Sequence, residues 1–338
     1  MAPVKNSRVL FVQPPTGYPQ PGVNTTFDDS QMIDPDTVSL NGGFLLKTLV
    51  LSIEPYNRGL MMFGYQKGLP ITSFGFGRVI RTENPDVKAG DHIYGMIPVQ
   101  EYSVVADKSE ISWFMFLENK EKIPWSLYVG VAGVPGQTAY CGWKEFASPK
   151  KGDVVFVTTG SGPVGATVIQ LAKQDGCKVI ASAGSDEKVA HCIKFGADVA
   201  FNYKTTSLSE VLAKEGPVDI YWDNVGGETL DNTLLHAGKG ARFIECGMIS
   251  VYNNAPPVMK NMLQLVTCHI KMYGVNVSVL LPKYEQQFYE DVPKWLAEGK
   301  LKYLEDTRSG IEHVEQAILD VQLGKNIGKV VISVADDC

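Results

Sequence analysis

The sequence predicts an α/β chain in which a doubly wound parallel sheet accompanies a mostly β, barrel-like domain. Three observations carry this. From about residue 134 apolar runs alternate with helical patterns, as strands of a parallel sheet alternate with the helices that cover it. Up to about residue 130 the apolar runs are short and broken by Pro, Gly and Asn, as in a small β domain. Residues 154–165, Val-Val-Phe-Val-Thr-Thr-Gly-Ser-Gly-Pro-Val-Gly, join an apolar run to a glycine triplet and then to a helical pattern.

The elements follow in order. Arg8–Gln13, Phe44–Ile53, Ile71–Arg81 and His92–Ala106 read as strands, with Ala89-Gly90-Asp91 as a turn between two of them. Strand 153–159 leads to a helix near 163–175, closed by Asp175-Gly176. Strand 177–182 leads to a helix near 186–195, with Ser185 as N-cap and Gly196 as stop. Strand 197–201, a helix near 207–214, strand 218–223, a helix near 228–236 and strand 241–246 continue the series. A last helix near 257–267 leads to strand 269–275, and the alternation ends near residue 300. Ile311–Leu323 is an amphipathic helix with Val314, Ala317, Ile318 and Val321 on one side. Lys329–Val334 is a final strand.

The glycine triplet is Gly160-x-Gly162-x-x-Gly165. Between a strand and a helix it is a dinucleotide fingerprint; alone it is a flexible loop. Gly160 permits the turn, Gly162 lets the backbone approach a pyrophosphate, and Gly165 lets helix and strand pack closely. Pro163 and Val164 open the helix, whose N-terminus favours phosphate. A chain that binds NAD usually carries an acid about 20 residues later, at the end of the second strand. Here that strand ends in Ala183-Gly184-Ser185, with Lys188 beyond it and Tyr203 after the next strand. A 2′-phosphate is tolerated and can be paired, so NADPH is favoured over NADH. Asp186 and Glu187 argue weakly the other way, and fit the first turn of the next helix better.

Length and charge set limits. The 338 residues are enough for about two domains, and the net charge of −6 leaves no basic footprint for nucleic acid. No apolar run is long enough to span a membrane, and Met1-Ala2-Pro3-Val4-Lys5 has no signal-peptide pattern. Cys141, Cys177, Cys192, Cys246, Cys268 and Cys338 are scattered, without a C-x-x-C pair, as expected of reduced thiols in the cytoplasm. The five histidines show no pairing pattern.

Several further motifs stand in order along the chain. They are Glu54-Pro55-Tyr56-x-Arg58-Gly59, Gly133-Val134-Pro135-Gly136-x-Thr138-Ala139-Tyr140 and the triplet itself. Ser182-Ala183-Gly184-Ser185-x-x-Lys188, Phe201-Asn202-Tyr203-Lys204 and Asp223-Asn224-Val225-Gly226-Gly227 follow. Cys246-Gly247-Met248-Ile249-Ser250-x-Tyr252-Asn253 and Asn326-Ile327-Gly328-Lys329 complete the set. Together they resemble the medium-chain dehydrogenase/reductase superfamily, in its zinc-free branch of NADPH-dependent alkenal double-bond and prostaglandin reductases.

The resemblance implies a GroES-like β domain built from both chain ends, residues 1–132 and 304–338, and a Rossmann domain at 133–303. The Lys329–Val334 strand therefore returns to the first domain. It implies NADPH, a small enal or enone substrate held between the domains, and a homodimer. The zinc ligands of other superfamily members are not visible in the sequence, so no metal is expected.

It also implies roles. Tyr252 is the first candidate to meet enolate charge or supply a proton, with a cofactor-packing loop tyrosine as the alternative. Tyr56 is the second, with a substrate-wall aromatic as the alternative; Arg58 is read as structural. Lys188, Tyr203 and Gly184 are the 2′-phosphate candidates. Asn224 and Asn326 are expected to hydrogen-bond the cofactor, although Asn224 could instead cap the turn before Gly226-Gly227. Gln137, Thr138, Cys246, Met248 and Ser250 lie on segments expected near the nicotinamide. Plant relatives carry a tyrosine where this chain has Ser73-Phe74-Gly75, and Phe74 has no hydroxyl to donate. A quinone reductase, a non-catalytic NADPH-binding protein and an assembly-line enoyl reductase are the competing readings.

Overall fold

The computed structural model describes residues 3–107, 111 and 114–337; Met1, Ala2 and Cys338, named above, lie outside them. The backbone divides into two units, Met1–Gly130 with Glu305–Cys338, and Val131–Leu304. Each is described by itself.

The first unit opens with β1 (Val4–Lys5), β2 (Arg8–Phe11), β3 (Thr25–Asp28) and β4 (Met32–Ile33), paired β1 with β4 and β2 with β3. β5 (Phe44–Ser52) is an almost unbroken apolar run, buried along most of its length. Such a run is stable only with both faces covered. A turn and α1 (Asn57–Phe63) lead to β6 (Thr72–Thr82), β7 (His92–Pro98), β8 (Tyr102–Val105) and β9 (Met115–Phe116). The last elements of the chain complete this unit: β16 (Glu305–Ser309), a helix over Val314–Gln322 and β17 (Lys329–Ser333). Its sheet runs β16-β17-β5-β6-β7-β9, with β8 also on β5. β17 lies antiparallel to β5, Ile332 opposite Leu51, so the final strand returns to the first unit. The faces of β5, β6 and β17 and the row Val314, Ala317, Ile318 and Val321 share one core.

The second unit is a six-stranded, all-parallel sheet. Its elements are α2 (Val134–Gly142), β10 (Val154–Val157), α3 (Pro163–Gln174), β11 (Lys178–Ala183), α4 (Asp186–Lys194), β12 (Val199–Asn202) and α5 (Leu208–Glu215). They continue with β13 (Val218–Asp223), α6 (Gly227–Leu234), β14 (Ala237–Glu245), α7 (Ile249–Tyr252), α8 (Gln264–Thr267), β15 (Lys271–Gly274) and α9 (Val277–Ala297). The helix over Val314–Gln322 is then α10. The sheet order β12-β11-β10-β13-β14-β15 reverses between β10 and β13. This is the doubly wound dinucleotide-binding order, and the reversal opens a crevice at the carboxyl ends of those two strands. Ser185 caps α4 as expected, its hydroxyl accepting the Lys188 N–H at 3.3 Å. No helix among the described residues is long and apolar enough to cross a membrane.

The structure corrects two expectations and adds one element. His92–Ala106 is two strands, because the chain turns after Pro98 and β8 pairs with β5 instead of continuing along β6. The helix near 257–267 shrinks to α8. Pro256 and Pro257 bring no N–H, and the N–H groups of Lys260 and Asn261 donate to Asp231 Oδ1, both at 2.8 Å. The 21-residue α9 has no counterpart in the sequence reading; its internal Pro282 and Pro293 interrupt the helical signal.

Candidate active site

The crevice of the parallel sheet is lined by two turns. The first follows β10. Thr159 takes φ 50°, unusual for a β-branched residue, and its carbonyl accepts the Gly162 N–H at 2.9 Å. A Cβ on Gly165 would stand 2.5 Å from that carbonyl oxygen, so only glycine lets α3 start this close. A Cβ on Gly162 would meet only that oxygen, at 3.3 Å, leaving its other side open. Pro163 occupies the first turn of α3, where its missing N–H costs nothing. Gly160, Gly162, Pro163, Val164 and Gly165 thus form one cradle at a helix N-terminus. It suits a pyrophosphate, which needs close backbone approach and unpaired N–H groups.

The 2′-phosphate candidates gather at the end of β11. Gly184 lies beneath the half-exposed Tyr203, whose hydroxyl would lie 3.0 Å from a Cβ placed on it. Lys188 lies on the first turns of α4, and no carboxylate ends β11 itself.

The second turn follows β13. Asp223 Oδ1 accepts the N–H groups of Val225 (2.8 Å) and Gly226 (2.9 Å). Asp223, then, caps this turn. Asn224 does not: its side chain donates to Thr158 O at 2.7 Å and accepts from Trp222 Nε1 at 3.3 Å, tying β13 to β10. Gly226 and Gly227 have φ of 68° and 58°, and side chains there would strike Met248 and Ser250. Ser250 Oγ donates to Val225 O at 2.6 Å, and Ile249 N–H to Asn224 O at 3.3 Å. The turn therefore fixes α7, with Cys246 and Met248 on the approach to it.

Tyr252 closes α7. Its hydroxyl accepts the Met248 N–H at 3.4 Å and lies over Gly247, where a Cβ would stand 3.2 Å away. Burial raises its pKa above the ordinary phenol value, so it stays protonated through neutral pH. Thr138 and Gln137 sit on α2, donating to Val134 O (2.7 Å) and Tyr289 (2.8 Å).

Tyr56 and Asn326 belong to the other unit. Asn326 donates to Gly328 O at 2.7 Å, within its own turn. The Tyr56 turn is held on every side. Gln322 donates to Pro55 O (2.9 Å), Asn57 accepts Glu54 N–H (2.8 Å), and the buried Lys329 donates to Glu54 Oε1 (2.8 Å) and Ile53 O (2.7 Å). The Tyr56 hydroxyl is buried and meets no hydrogen-bond partner in good geometry among the described residues. Burial, and then the Glu54 carboxylate, push its pKa well above the phenol range. Phe74 packs against the Tyr56 ring edge-on at 6.3 Å and stacks on Tyr94 at 5.5 Å. Arg58 donates to the carbonyls of Gly17 (3.0 Å) and Pro15 (3.2 Å), a structural use.

Two functional-looking residues escaped the sequence reading. Asp223 and Glu245 end adjacent strands opposite each other, and their carboxyls are buried together. The signal was present: each predicted strand ended in or near an acid. Among the described residues no three His, Cys, Asp or Glu side chains gather into a set able to hold a metal ion.

Two family descriptions match the chain, "zinc-binding dehydrogenase" over residues 163–298 and "N-terminal domain of oxidoreductase" over residues 8–112. The NADP(+)-dependent 2-alkenal reductase of Nicotiana tabacum is 36% identical, covering 98% of both chains. The chain belongs to the medium-chain dehydrogenase/reductase family, in its branch of NADPH-dependent alkenal and prostaglandin reductases. The NADPH-dependent curcumin reductase of Escherichia coli is 32% identical over 98% of both chains. Among solved structures, CurA of Vibrio vulnificus in complex with NADPH superposes with a TM-score of 0.85. It is 30% identical, covering 98% of this chain and 99% of the other. The chain is an oxidoreductase with the family's Rossmann and GroES-like architecture.

Proposed function

We propose that this NADPH-dependent oxidoreductase reduces the carbon–carbon double bond of small α,β-unsaturated aldehydes and ketones. The observation that carries the reading is Tyr252. It is a phenol, protonated at neutral pH as phenols are and with its pKa raised further by burial, on a segment fixed to the carboxyl edge of the parallel sheet at its reversal point. When bound, NADPH supplies a hydride. Gly160, Gly162 and Gly165 cradle its pyrophosphate, and Lys188 and Tyr203 pair with its 2′-phosphate over Gly184. Asn224, Thr138, Cys246, Met248, Ser250 and Asn326 complete the cofactor contacts.

Reduction at the β-carbon sends charge to the substrate carbonyl oxygen, which requires a hydrogen-bond donor. Tyr252 donates that bond, and a proton is then needed at the α-carbon. Tyr56 is the second donor; its buried hydroxyl, without a hydrogen bond in good geometry among the described residues, is stabilised by an acceptor that reaches it. Phe74 adds apolar wall and no donor, which suits small, weakly polar substrates. The active species is a homodimer, as the family resemblance implies; sedimentation gives the oligomeric state.

The test is NADPH oxidation with an enal, an enone, a quinone and a saturated ketone, with products identified. Saturated aldehyde or ketone from the first two is expected. Turnover of the saturated ketone alone overturns the proposal, and turnover of the quinone alone replaces it with quinone reduction. Tyr252→Phe is expected to lower enone turnover about tenfold or more, the low end lying below the usual acid–base contribution. Unchanged turnover removes Tyr252 from the mechanism.

A further inference from the structure

β13 and β14 run parallel with Asp223 opposite Glu245 at their carboxyl ends. Asp223 is fully buried. Its Oδ1 is taken by the Val225 and Gly226 N–H groups. Its Oδ2 and both Glu245 carboxyl oxygens are buried and meet no hydrogen-bond partner in good geometry among the described residues. Two carboxylates that face each other without a donor between them lack one thing, a proton. Tyr221 on β13 is the other titratable group against the pair; its buried, un-ionised hydroxyl lies against Asp223, and Glu245 has Asp223 as its hydrogen-bonding neighbour among the described residues. Thr158, just after β10, donates to Asp223 Oδ1 at 3.5 Å and Thr233 of α6 is also nearby; both are neutral.

Both acids cannot ionise there, because like charges in a low-dielectric site repel strongly and neither is hydrated. Asp223 keeps the charge, since two backbone N–H groups already point at it. Glu245 keeps the proton and donates it to Asp223 Oδ2. The charged Asp223 in turn caps the 224–227 turn, to which Ser250 and Ile249 are bonded.

We propose that Asp223 and Glu245 share one proton at neutral pH, and that this proton holds the 224–227 turn and the Tyr252 segment in their NADPH-binding arrangement. Both are positioning residues. Loss of the proton to solvent leaves two facing carboxylates, and they separate by breaking the turn. The role in binding rests on the cofactor placement proposed above; the shared proton does not.

Fluorescence titration of NADPH against wild type and Glu245→Gln, from roughly pH 7 to 10, tests the role. Wild-type Kd is expected to climb by about tenfold per pH unit once the proton leaves, the slope of a single linked ionisation. Glu245→Gln keeps its neutral-pH Kd across the range, because an amide donates the same bond at every pH. Infrared spectra test the proton itself: wild type at neutral pH shows a protonated-carboxyl band that Glu245→Gln lacks. Asp223→Asn, which retains an acceptor for the turn, is also expected to abolish the alkaline rise and serves if the first variant does not fold. Parallel affinity curves in wild type and variants overturn the positioning role, and identical infrared bands overturn the shared proton. Neither readout uses turnover, so failure to reduce an enone leaves both outcomes readable.

Discussion

Replacing Lys329 with Met probes the buried ion pair beneath the Tyr56 turn. The Lys329 and Glu54 side chains are only 3% and 8% exposed, and their charged atoms stand 2.8 Å apart. Met preserves most of the aliphatic stem, so the packing term is small. What is lost is the cation and its bond to Ile53 O. Glu54 is left with the Ser52 hydroxyl on Oε1 at 2.7 Å, too little for a buried carboxylate. Stranding one partner of a buried pair costs about 3–5 kcal/mol. That is a large fraction of the roughly 5–15 kcal/mol that stabilises a typical domain. Urea unfolding measures it directly. A second variant separates charge from shape: Lys329→Met with Glu54→Gln removes both charges and is expected to recover most of the loss, since neutral replacement of a buried pair is often harmless. A cost below about 1 kcal/mol for the single variant, or a double variant no more stable than the single, refutes the reasoning.

Other outcomes follow from the same geometry. Gly165→Ala places a Cβ 2.5 Å from Thr159 O and is expected to cost about 1–3 kcal/mol in stability and to weaken NADPH binding, read by thermal shift and titration. Lys188→Ala is expected to raise the KM for NADPH by about tenfold or more, the worth of a charge-assisted bond, while leaving that for NADH unchanged; an unchanged NADPH KM refutes the assignment. Glu245, pushed up to about 9 by burial and then by Asp223, binds a proton in the folded chain that the unfolded chain releases. Wild-type stability therefore falls as pH rises from about 5 towards 9, and Glu245→Gln does not share that fall. A melting-temperature difference between the two that stays constant with pH counts against the shared proton.

Much of this fold was legible because its elements are locally encoded. The β10 run, the triplet, the Ser185 cap and the α10 stripe each announce themselves within a few residues, and each forms where expected. Elements that answer to distant partners were not legible. Asp231 takes the N–H groups that a longer helix before α8 would have used. Pro282 and Pro293 hide α9, whose stability comes from its buried Phe288, Val292 and Leu296. At the site, Tyr252 and the glycine cradle stood out as motifs. Asp223 and Glu245 become a pair only when the register of two strands is known, and the turn cap weighed as an alternative role for Asn224 belongs to Asp223.

The return of the last strand to the first unit sets an order of events during synthesis. Val50 on β5 pairs with Ser333, about 280 residues further on. At bacterial or eukaryotic translation rates that interval is roughly a quarter of a minute to a minute. Throughout it the carboxyl half of β5 presents an open, apolar edge, and Glu54 lacks its Lys329. The parallel-sheet unit, contiguous from Val131 to Leu304, emerges entire within the same interval. The nascent chain thus holds a finished parallel-sheet half while its other half waits with an unprotected strand, the surface on which chaperones and stray partners compete.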